Sequence, residues 1–250
     1  MDIVQENVVK QKIRKGELVL GTYCDPLNTA LIELYGAVGY DFVVLDTEHG
    51  PYYGVAHCAH GVKTAEVAGL IPFIRVSHNH PILIQKALEI GAYGVWVPHV
   101  ESEAECQRAV RAAKYPPVGG RGAGGSAATQ WAFANDNTMV TVLPLESKTA
   151  IENIDGTLSV DGLDMISLSV GDITFALGYP GQPMHPEVVK VRDRVWELCQ
   201  EKGVAAYVLG SLELLGYYRR KGVRVFMSSV NMRRAVQAHV KQLRELLTTG

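Results

Sequence analysis

The sequence is poor in cysteine, and the few that it has do not follow the pattern of a metal site or a disulfide framework. The four cysteines are far apart and form no CxxC pair; they are Cys24, Cys58, Cys106 and Cys199. Zinc knuckles and small disulfide-bonded domains use closely spaced cysteines. We therefore expect a protein of the reducing cytoplasm.

The sequence also lacks an excess of charge and any long apolar run. Its 24 Lys and Arg nearly balance its 26 Asp and Glu, which gives a formal net charge of -2. This balance provides no general attraction to nucleic-acid phosphates or anionic membranes. No apolar stretch approaches the roughly 20 residues of a membrane helix, and residues 1–16 lack the apolar segment of a signal peptide. We expect neither a nucleic acid nor a membrane among the partners.

What the sequence does contain is a regular alternation of strand-like and helix-like segments. Of its 250 residues, 47% are apolar, enough for a large core. Eight short apolar runs, each followed by a segment of helical period, predict strands at 18–24, 42–46, 71–76, 94–100, 142–146, 165–170, 205–210 and 224–229. Eight strand–helix units in this length are typical of a (β/α)8 TIM barrel rather than a Rossmann fold. We predict an α/β fold with a single TIM-barrel domain over residues 1–250.

Capping residues mark several of the predicted helix starts. Ser102 and Ser147 follow the fourth and fifth predicted strands, and Asn231 follows the eighth, each where a side-chain oxygen can cap a helix. The last helix carries an apolar stripe that must be covered, either by its own barrel or by a neighbouring subunit. The stripe consists of Met232, Val236, Val240, Leu243 and Leu247.

Two carboxylates follow neighbouring strands at the carboxyl end of the predicted barrel, where such folds place their chemistry. Glu146 ends the fifth predicted strand, and Asp172 follows the sixth. Two adjacent carboxylates need a proton or a cation, and oxygen ligands suit Mg²⁺ or Mn²⁺ better than zinc. The alternative is that each carboxylate caps the next helix or pairs with a buried arginine.

Ionisable side chains also end the second and third predicted strands. His49 lies three residues past Asp46, so that carboxylate could hold the imidazole in one tautomer while the other ring nitrogen acts as a base. The alternative is a buried histidine with a structural role. Arg75 ends an apolar run and needs either a carboxylate partner or an anionic ligand in the barrel mouth.

A glycine-rich segment at 119–125 contains Arg121. It lacks the GK[ST] ending of a phosphate loop and follows no strand directly, so it favours a loop that closes over the mouth, with Arg121 available to an anion. Lys148, two residues past a predicted strand, is the lysine that we consider for Schiff-base chemistry.

Five ordered segments resemble the HpcH/HpaI aldolases, metal-dependent pyruvate aldolases related to the wider aldolase and citrate lyase group. They cover most of the span from residue 21 to about residue 203. The segments read GYDFVVLDTEHGP, IRVSHNHPILIQKALEIGAYGVWVPHVES, AAKYPPVGGRGAGG, LESKTAIENID and GDITFALGYPGQPMHPEV.

The resemblance implies an enzyme that cleaves or forms 4-hydroxy-2-oxo acids, with pyruvate as the donor half, through a metal-stabilised pyruvate enolate. It implies a divalent cation, Mg²⁺ or Mn²⁺ with Co²⁺ as a further candidate, on the residues that match Glu146 and Asp172. It also implies a homo-oligomer, a trimer or hexamer, whose subunits exchange the last helix.

The same resemblance gives roles to the other polar residues at the strand ends. The arginine matching Arg75 contacts the pyruvate oxygen that becomes the enolate oxygen, and the pair matching Asp46 and His49 handles protons through water. The implied substrate-binding positions are Arg75, Gly171, Asp172 and Arg121.

Two short segments depart from the usual sequence of that family. Pro144 stands where glutamine is usual, and Ser169 and Val170 replace a Gly-Pro pair. A proline within a strand also removes an amide donor. Because both changes border the pyruvate site, two alternatives stay open. One is a related lyase or oxo-acid decarboxylase on the same enolate site, and the other is a barrel that binds an oxo acid without turnover.

Overall fold

The strands of the computed structural model form a closed parallel barrel. The structure describes residues 6–25, 28–49, 54–122, 137–168, 171–228 and 232–248. Strands pair in chain order, and the eighth closes the barrel against the first. They are β1 (Val19–Cys24), β2 (Phe42–Asp46), β3 (Ile71–Arg75), β4 (Gly94–Val97), β5 (Met139–Val142), β6 (Met165–Ser167), β7 (Ala205–Leu209) and β8 (Val225–Met227). The predicted (β/α)8 TIM-barrel fold is confirmed.

Helices precede the barrel, connect its strands and follow it. A short 3-10 turn at Val55–His57 leads into the third helix. The helices are α1 (Val8–Arg14), α2 (Thr29–Ala37), α3 (Cys58–Val67), α4 (Pro81–Glu89), α5 (Glu103–Ala113), α6 (Lys148–Glu152), α7 (Ile154–Leu158), α8 (Asp172–Ala176), α9 (Pro186–Lys202), α10 (Leu212–Arg220) and α11 (Met232–Thr248).

The core has two layers because successive side chains of a strand point to opposite faces. On β2, Phe42 and Val44 pack inside the barrel with Phe73 and Trp96. Val43 and other residues of the alternate register pack outward against the helices. Both faces of most strands are therefore buried, although Leu20 of β1 is exposed, which explains why the strands appear in the sequence as nearly continuous apolar runs.

Two of the three predicted helix caps lie in the described residues and are confirmed. The Ser102 hydroxyl accepts a hydrogen bond from the Glu105 amide, and the Ser147 hydroxyl accepts one from the Ala150 amide. Asn231 lies outside the described residues.

The fifth strand lies earlier in the chain than predicted, at Met139–Val142 instead of 142–146. Leu143 and Leu145 are buried, so the apolar pattern continues past the true strand end. The Leu143 amide still donates to the Val97 carbonyl at 3.0 Å, but Pro144 has no backbone N–H to continue the hydrogen-bond ladder. Pro144 thus follows β5 and removes no hydrogen bond from within it, which corrects the expectation drawn from the sequence.

A buried charge cluster joins helix α1 and the end of α5 to the amino end of the barrel. The Nζ atoms of Lys10 and Lys114 lie 2.8 and 2.9 Å from the two carboxylate oxygens of Asp164. Both ammonium groups also donate to the Thr138 carbonyl. Burial outweighs the attraction of Asp164 and lowers the pKa of Lys114 to about 8.

Helix α11 leaves apolar side chains exposed in the single chain. They are Val240, Leu243, Leu246 and Leu247. An exposed apolar face of this kind is typical of a surface that another element covers. Within the described ranges, the structure has no helix of the length and hydropathy that a membrane span requires.

Candidate active site

The carboxyl ends of the strands open into a cavity of about 770 Å³. It is lined by Tyr23, Asp46, His49, Arg75, Leu143, Ser167, Gly171, Asp172, Thr174, Phe175, Gly181, Pro183, Tyr207, Leu209 and Gly210. Five residues predicted from the sequence are therefore brought together here, namely Asp46, His49, Arg75, Gly171 and Asp172. Glu146 and Arg121 are not among the lining residues.

Arg75 is held by two carboxylates at the end of the neighbouring strand β2, one on its last residue and one two residues later. Its Nε donates to Asp46 Oδ1 at 2.8 Å, and its Nη2 donates to Asp46 Oδ2. Its Nη1 lies 3.1 Å from Glu48 Oε2 in a charge contact. All three side chains are about nine-tenths buried, so the pairing satisfies charges that water cannot reach.

An aromatic floor supports the arginine from inside the barrel. The Arg75 guanidinium lies 4.5 Å from the centre of the Tyr23 ring, and the Tyr23 hydroxyl is 3.2 Å from the Tyr207 hydroxyl. Burial alone would lower the pKa of Arg75, but its hydrogen bonds with Asp46 and the nearby negative charges outweigh that effect and raise it. Burial raises the pKa of Tyr23 to about 12. At neutral pH the site therefore contains a fixed cation above a neutral phenol.

The structure does not join the Asp46 carboxylate to the His49 imidazole, which corrects the pairing suggested by their spacing. Asp46 Oδ1 accepts hydrogen bonds from the backbone amides of Glu48 and His49 at 3.0 and 3.3 Å. The His49 ring is 73% exposed, and its Nε2 lies 3.7 Å from Glu48 Oε2. Asp46 thus shapes the turn and orients Arg75, while the His49 ring faces the cavity from its rim.

Glu146 is reached by a histidine that the sequence reasoning did not single out. The His99 amide donates to Glu146 Oε2 at 2.6 Å, and His99 Nδ1 lies 3.1 Å from the same oxygen. The other ring nitrogen, Nε2, lies 3.3 Å from Glu48 Oε1. Burial raises the pKa of Glu146 to about 7 against the opposing effect of His99, and the charges of Glu48 and Asp172 raise it further.

His99 lies two residues past the end of β4, so its position at a strand end could have identified it from the sequence. The predicted fourth strand continued to residue 100 and thereby hid the true end of the strand at Val97. Glu48 was likewise missed, although it stands between Asp46 and His49 in the sequence.

Gly171 and Asp172 begin the short helix α8 at the cavity wall. Gly171 precedes the first helical residue, and its carbonyl accepts hydrogen bonds from the Thr174 amide and hydroxyl. Asp172 is exposed at the helix start and acts electrostatically on Glu146. The two residues thus present a carboxylate and the start of a helix to the cavity.

The structure places Arg121 away from the cavity of its own barrel. Its amide donates to the Lys114 carbonyl at 2.9 Å, which ties it to the end of α5 at the amino end of the strands. Its guanidinium packs 4.9 Å from the centre of the Tyr115 ring, and the side chain is buried. In a single chain Arg121 therefore lies away from this mouth, and its contact with an anionic ligand stays a prediction. Residues 123–136, which continue the glycine-rich segment, and Ser169 and Val170 lie outside the described residues.

The residues present fit a hard divalent cation. Glu146 and Asp172 supply carboxylate oxygens, the donor type that Mg²⁺ and Mn²⁺ prefer. Burial, and to a smaller extent the charges of Glu48 and Asp172, raise the pKa of Glu146, and a buried carboxylate beside other carboxylates is stabilised by a proton or a cation. Within the described part of the chain, no three His, Cys, Asp or Glu side chains are grouped to hold a metal by themselves. A cation there would depend on water or substrate oxygens for its remaining ligands.

Comparison with known proteins agrees with this geometry. The family model HpcH/HpaI aldolase/citrate lyase matches residues 20–238. The chain is 31% identical over 215 residues to a 2-keto-3-deoxy-L-rhamnonate aldolase of Escherichia coli (strain K12), covering 82% of this chain and 80% of that protein.

Solved structures give the same result. The crystal structure of an HpcH/HpaI aldolase from Desulfitobacterium hafniense DCB-2 matches with a TM-score of 0.86 at 28% identity, covering 95% of this chain and 96% of that chain. The crystal structure of the citrate synthase SbnG matches with a TM-score of 0.86 at 29% identity, covering 97% and 98%. The chain therefore belongs to the HpcH/HpaI aldolase/citrate lyase family, and it is a lyase that acts on small molecules.

Proposed function

We propose that the protein is a metal-dependent class II pyruvate aldolase that cleaves and forms 4-hydroxy-2-oxo acids, with an aldehyde as the second product or substrate. The observation that carries this proposal is the fixed guanidinium of Arg75, held within the same cavity as Gly171 and Asp172. Such a cation, already oriented before substrate arrives, stabilises negative charge as it develops on an oxygen.

Glu146 and Asp172 are the residues that would hold a divalent cation, Mg²⁺, Mn²⁺ or Co²⁺. When bound, such an ion supplies positive charge that polarises the oxo acid and lowers the energy of its enolate. The amides of Gly171 and Asp172 at the start of α8 are proposed to receive the substrate carboxylate.

Proton movement is assigned to His49 at the cavity rim. In the cleavage direction, His49 accepts the 4-hydroxyl proton through water, and the C3–C4 electron pair moves into the three-carbon fragment. The aldehyde then leaves, and the enolate oxygen of that fragment lies against Arg75 until C3 is protonated. Asp46 takes part by holding Arg75.

A related lyase reaction on the same site, such as decarboxylation of an oxo acid, is favoured by two observations. Pro144 is buried directly after β5, where family members usually have glutamine, and the structural relative SbnG is described as a citrate synthase. Decarboxylation of an oxo acid such as oxaloacetate would use the same enolate. Product analysis with oxaloacetate, compared with pyruvate plus a panel of aldehydes, separates the two reactions.

The proposal is tested by exchange of the methyl protons of pyruvate in D₂O, followed by proton NMR. We expect exchange with added Mn²⁺, and none in a metal-free sample or in Glu146→Gln. Absence of exchange in the metal-loaded wild type would contradict enolate chemistry. If an oxo acid nevertheless bound tightly to the loaded protein, the barrel would be a binding protein without turnover.

The proposed assembly is a trimer or hexamer in the cytoplasm in which subunits exchange α11. The exposed apolar residues of that helix, including Leu246 and Leu247, support a covering partner.

A further inference from the structure

His99 has an unusual backbone conformation for a residue with a side chain. Its φ of 51° is the one positive value at a non-glycine position among the described residues. Histidine enters this left-handed region more readily than most residues, but it does so at a conformational cost. Such a conformation is retained where surrounding contacts enforce it.

The contact that accompanies this conformation is with Glu146. The His99 amide donates to Glu146 Oε2 at 2.6 Å, and the Nδ1 atom of the ring lies 3.1 Å from the same oxygen. Backbone and ring therefore converge on one oxygen of the carboxylate. Among the described residues, the structure gives Glu146 Oε1 no hydrogen-bond or ion-pair partner, so that oxygen is available to a ligand.

The ring also joins the two halves of the site. Its Nε2 atom lies 3.3 Å from Glu48 Oε1, and Glu48 Oε2 lies 3.1 Å from Arg75 Nη1. A continuous series of polar contacts thus runs along the barrel mouth through residues at or just past the carboxyl ends of four consecutive strands, β2 to β5. In order, the series is Asp46, Arg75, Glu48, His99 and Glu146.

Exposure of the ring does not make these contacts negligible. The His99 side chain is 68% exposed, and exposed ion pairs usually contribute little. The side chains of its two partners, Glu48 and Glu146, are only about a tenth exposed, however. Their carboxylates therefore have little access to water that could take the place of the His99 ring. The ring therefore restricts the positions of two nearly buried carboxylates.

We propose that His99 is a positioning residue that orients Glu146 to bind the divalent cation. It also fixes the position of this carboxylate relative to the Glu48–Arg75 pair. This inference rests on the proposed function. Carboxylate ligands of metals are themselves held by hydrogen bonds, and loss of such a partner typically weakens metal binding by about 10- to 100-fold.

The test measures Mn²⁺ affinity from the electron paramagnetic resonance signal of the free ion. His99→Gly removes the ring and tolerates the backbone conformation, and we expect Mn²⁺ to bind about 10-fold more weakly. His99→Asn also tolerates a positive φ and places an amide nitrogen near the position of Nδ1. We therefore expect this variant to bind Mn²⁺ nearly as tightly as the wild type. The matched control is His60→Ala on α3, outside the cavity, with unchanged affinity expected.

Two further readouts separate positioning from other roles. Thermal unfolding of each variant shows whether the fold is intact, and His99→Asn keeps the test valid if His99→Gly is unstable. Pulsed electron paramagnetic resonance of bound Mn²⁺ should show no coupling to a nitrogen of the His99 ring. A nitrogen signal that His99→Asn abolishes would make His99 a direct ligand and overturn the inference.

Failure of the inference differs from failure of the proposed function. If wild type binds Mn²⁺, Glu146→Gln does not, and His99→Gly binds as tightly as wild type, the positioning role of His99 is wrong and the metal site stands. If wild type binds no Mn²⁺, or Glu146→Gln binds it equally well, both proposals are wrong.

Discussion

Arg75 and Asp46 face each other across β2 and β3 and form a two-pronged ion pair. Strand register places the two residues opposite one another, and Nε and Nη2 of the guanidinium donate to Oδ1 and Oδ2 of the carboxylate. Two parallel hydrogen bonds fix the plane of the guanidinium as well as its position. The arginine is thus oriented before a substrate enters the cavity.

Arg75→Lys should retain the fold and lose most of the activity. Lysine keeps the positive charge but cannot form both hydrogen bonds to Asp46, so the cation is no longer fixed against the developing oxygen charge. We expect exchange of pyruvate methyl protons in D₂O to slow about 100-fold, which corresponds to about 3 kcal/mol.

Arg75→Met serves as the comparison for stability. It leaves Asp46 and Glu48 nearly buried without their cation, and we expect it to lower the free energy of unfolding by about 3 kcal/mol or more. Exchange at the wild-type rate in Arg75→Lys would show that the reaction does not need a guanidinium fixed by two hydrogen bonds.

Metal removal should distinguish the metal route from an imine on lysine. Treatment with EDTA should abolish aldol cleavage, and added Mn²⁺ should restore it. Borohydride in the presence of pyruvate should leave the activity unchanged, because the proposed reaction forms no imine on Lys148. Activity that survives EDTA and is lost on borohydride treatment would support the lysine route instead.

The barrel was predictable from the sequence because its strands are buried on both faces and recur between helical segments. The position of β5 was not, because Leu143 and Leu145 continue the apolar pattern beyond the last strand residue, Val142. In this case Pro144, which has no backbone N–H, indicates the strand end better than the apolar pattern does.

The candidate site was predictable in its strand-end residues but not in their pairing. Asp46 and Arg75 lie where the pattern placed them, yet the partner of Asp46 is Arg75 and not the His49 ring. Spacing along the chain cannot reveal a contact between neighbouring strands. The position of Arg121 was not predictable for a different reason, because a segment that follows a helix returns to the amino end of the barrel, opposite the mouth.

Substitutions at Gly171 should show whether its backbone amide binds the substrate. Gly171 has a φ of -74°, which proline and alanine both adopt, and a Cβ built there lies more than 4 Å from every described atom outside its own chain neighbours. Gly171→Pro removes the amide hydrogen, and we expect the KM for pyruvate to rise about 10-fold. Gly171→Ala keeps that donor and should leave KM nearly unchanged. Equal KM values for the two variants would exclude this amide from the carboxylate site.

The buried Lys114 should make stability depend on pH. Burial lowers its pKa to about 8 from 10.5, so the unfolded chain binds more protons than the folded chain between these values. Stability from this group therefore rises with pH in that interval, as the destabilising buried charge is lost. Relative to Lys114→Met, wild type should gain about 2 kcal/mol between roughly pH 7 and pH 9.5.

This difference is measured by urea unfolding of both proteins at the two pH values. Burial also raises the pKa of thiols such as Cys106 to about 12, and these groups reduce stability at high pH. They are present in both proteins, so their effect cancels in the comparison. A stability difference that stays constant with pH would show that Lys114 titrates normally.

Helix α11 should determine the oligomeric state. Leu246 and Leu247 are 71% and 79% exposed in the single chain, a large apolar area to leave in water near the end of a helix. We expect wild type to be a trimer or hexamer by size-exclusion chromatography with light scattering, and Leu246→Glu/Leu247→Glu to shift it towards monomer. Lys241→Ala, on the opposite side of the same helix, is the control and should leave the assembly intact. A monomeric wild type would contradict exchange of α11, and an unchanged oligomer in the double variant would place the interface elsewhere.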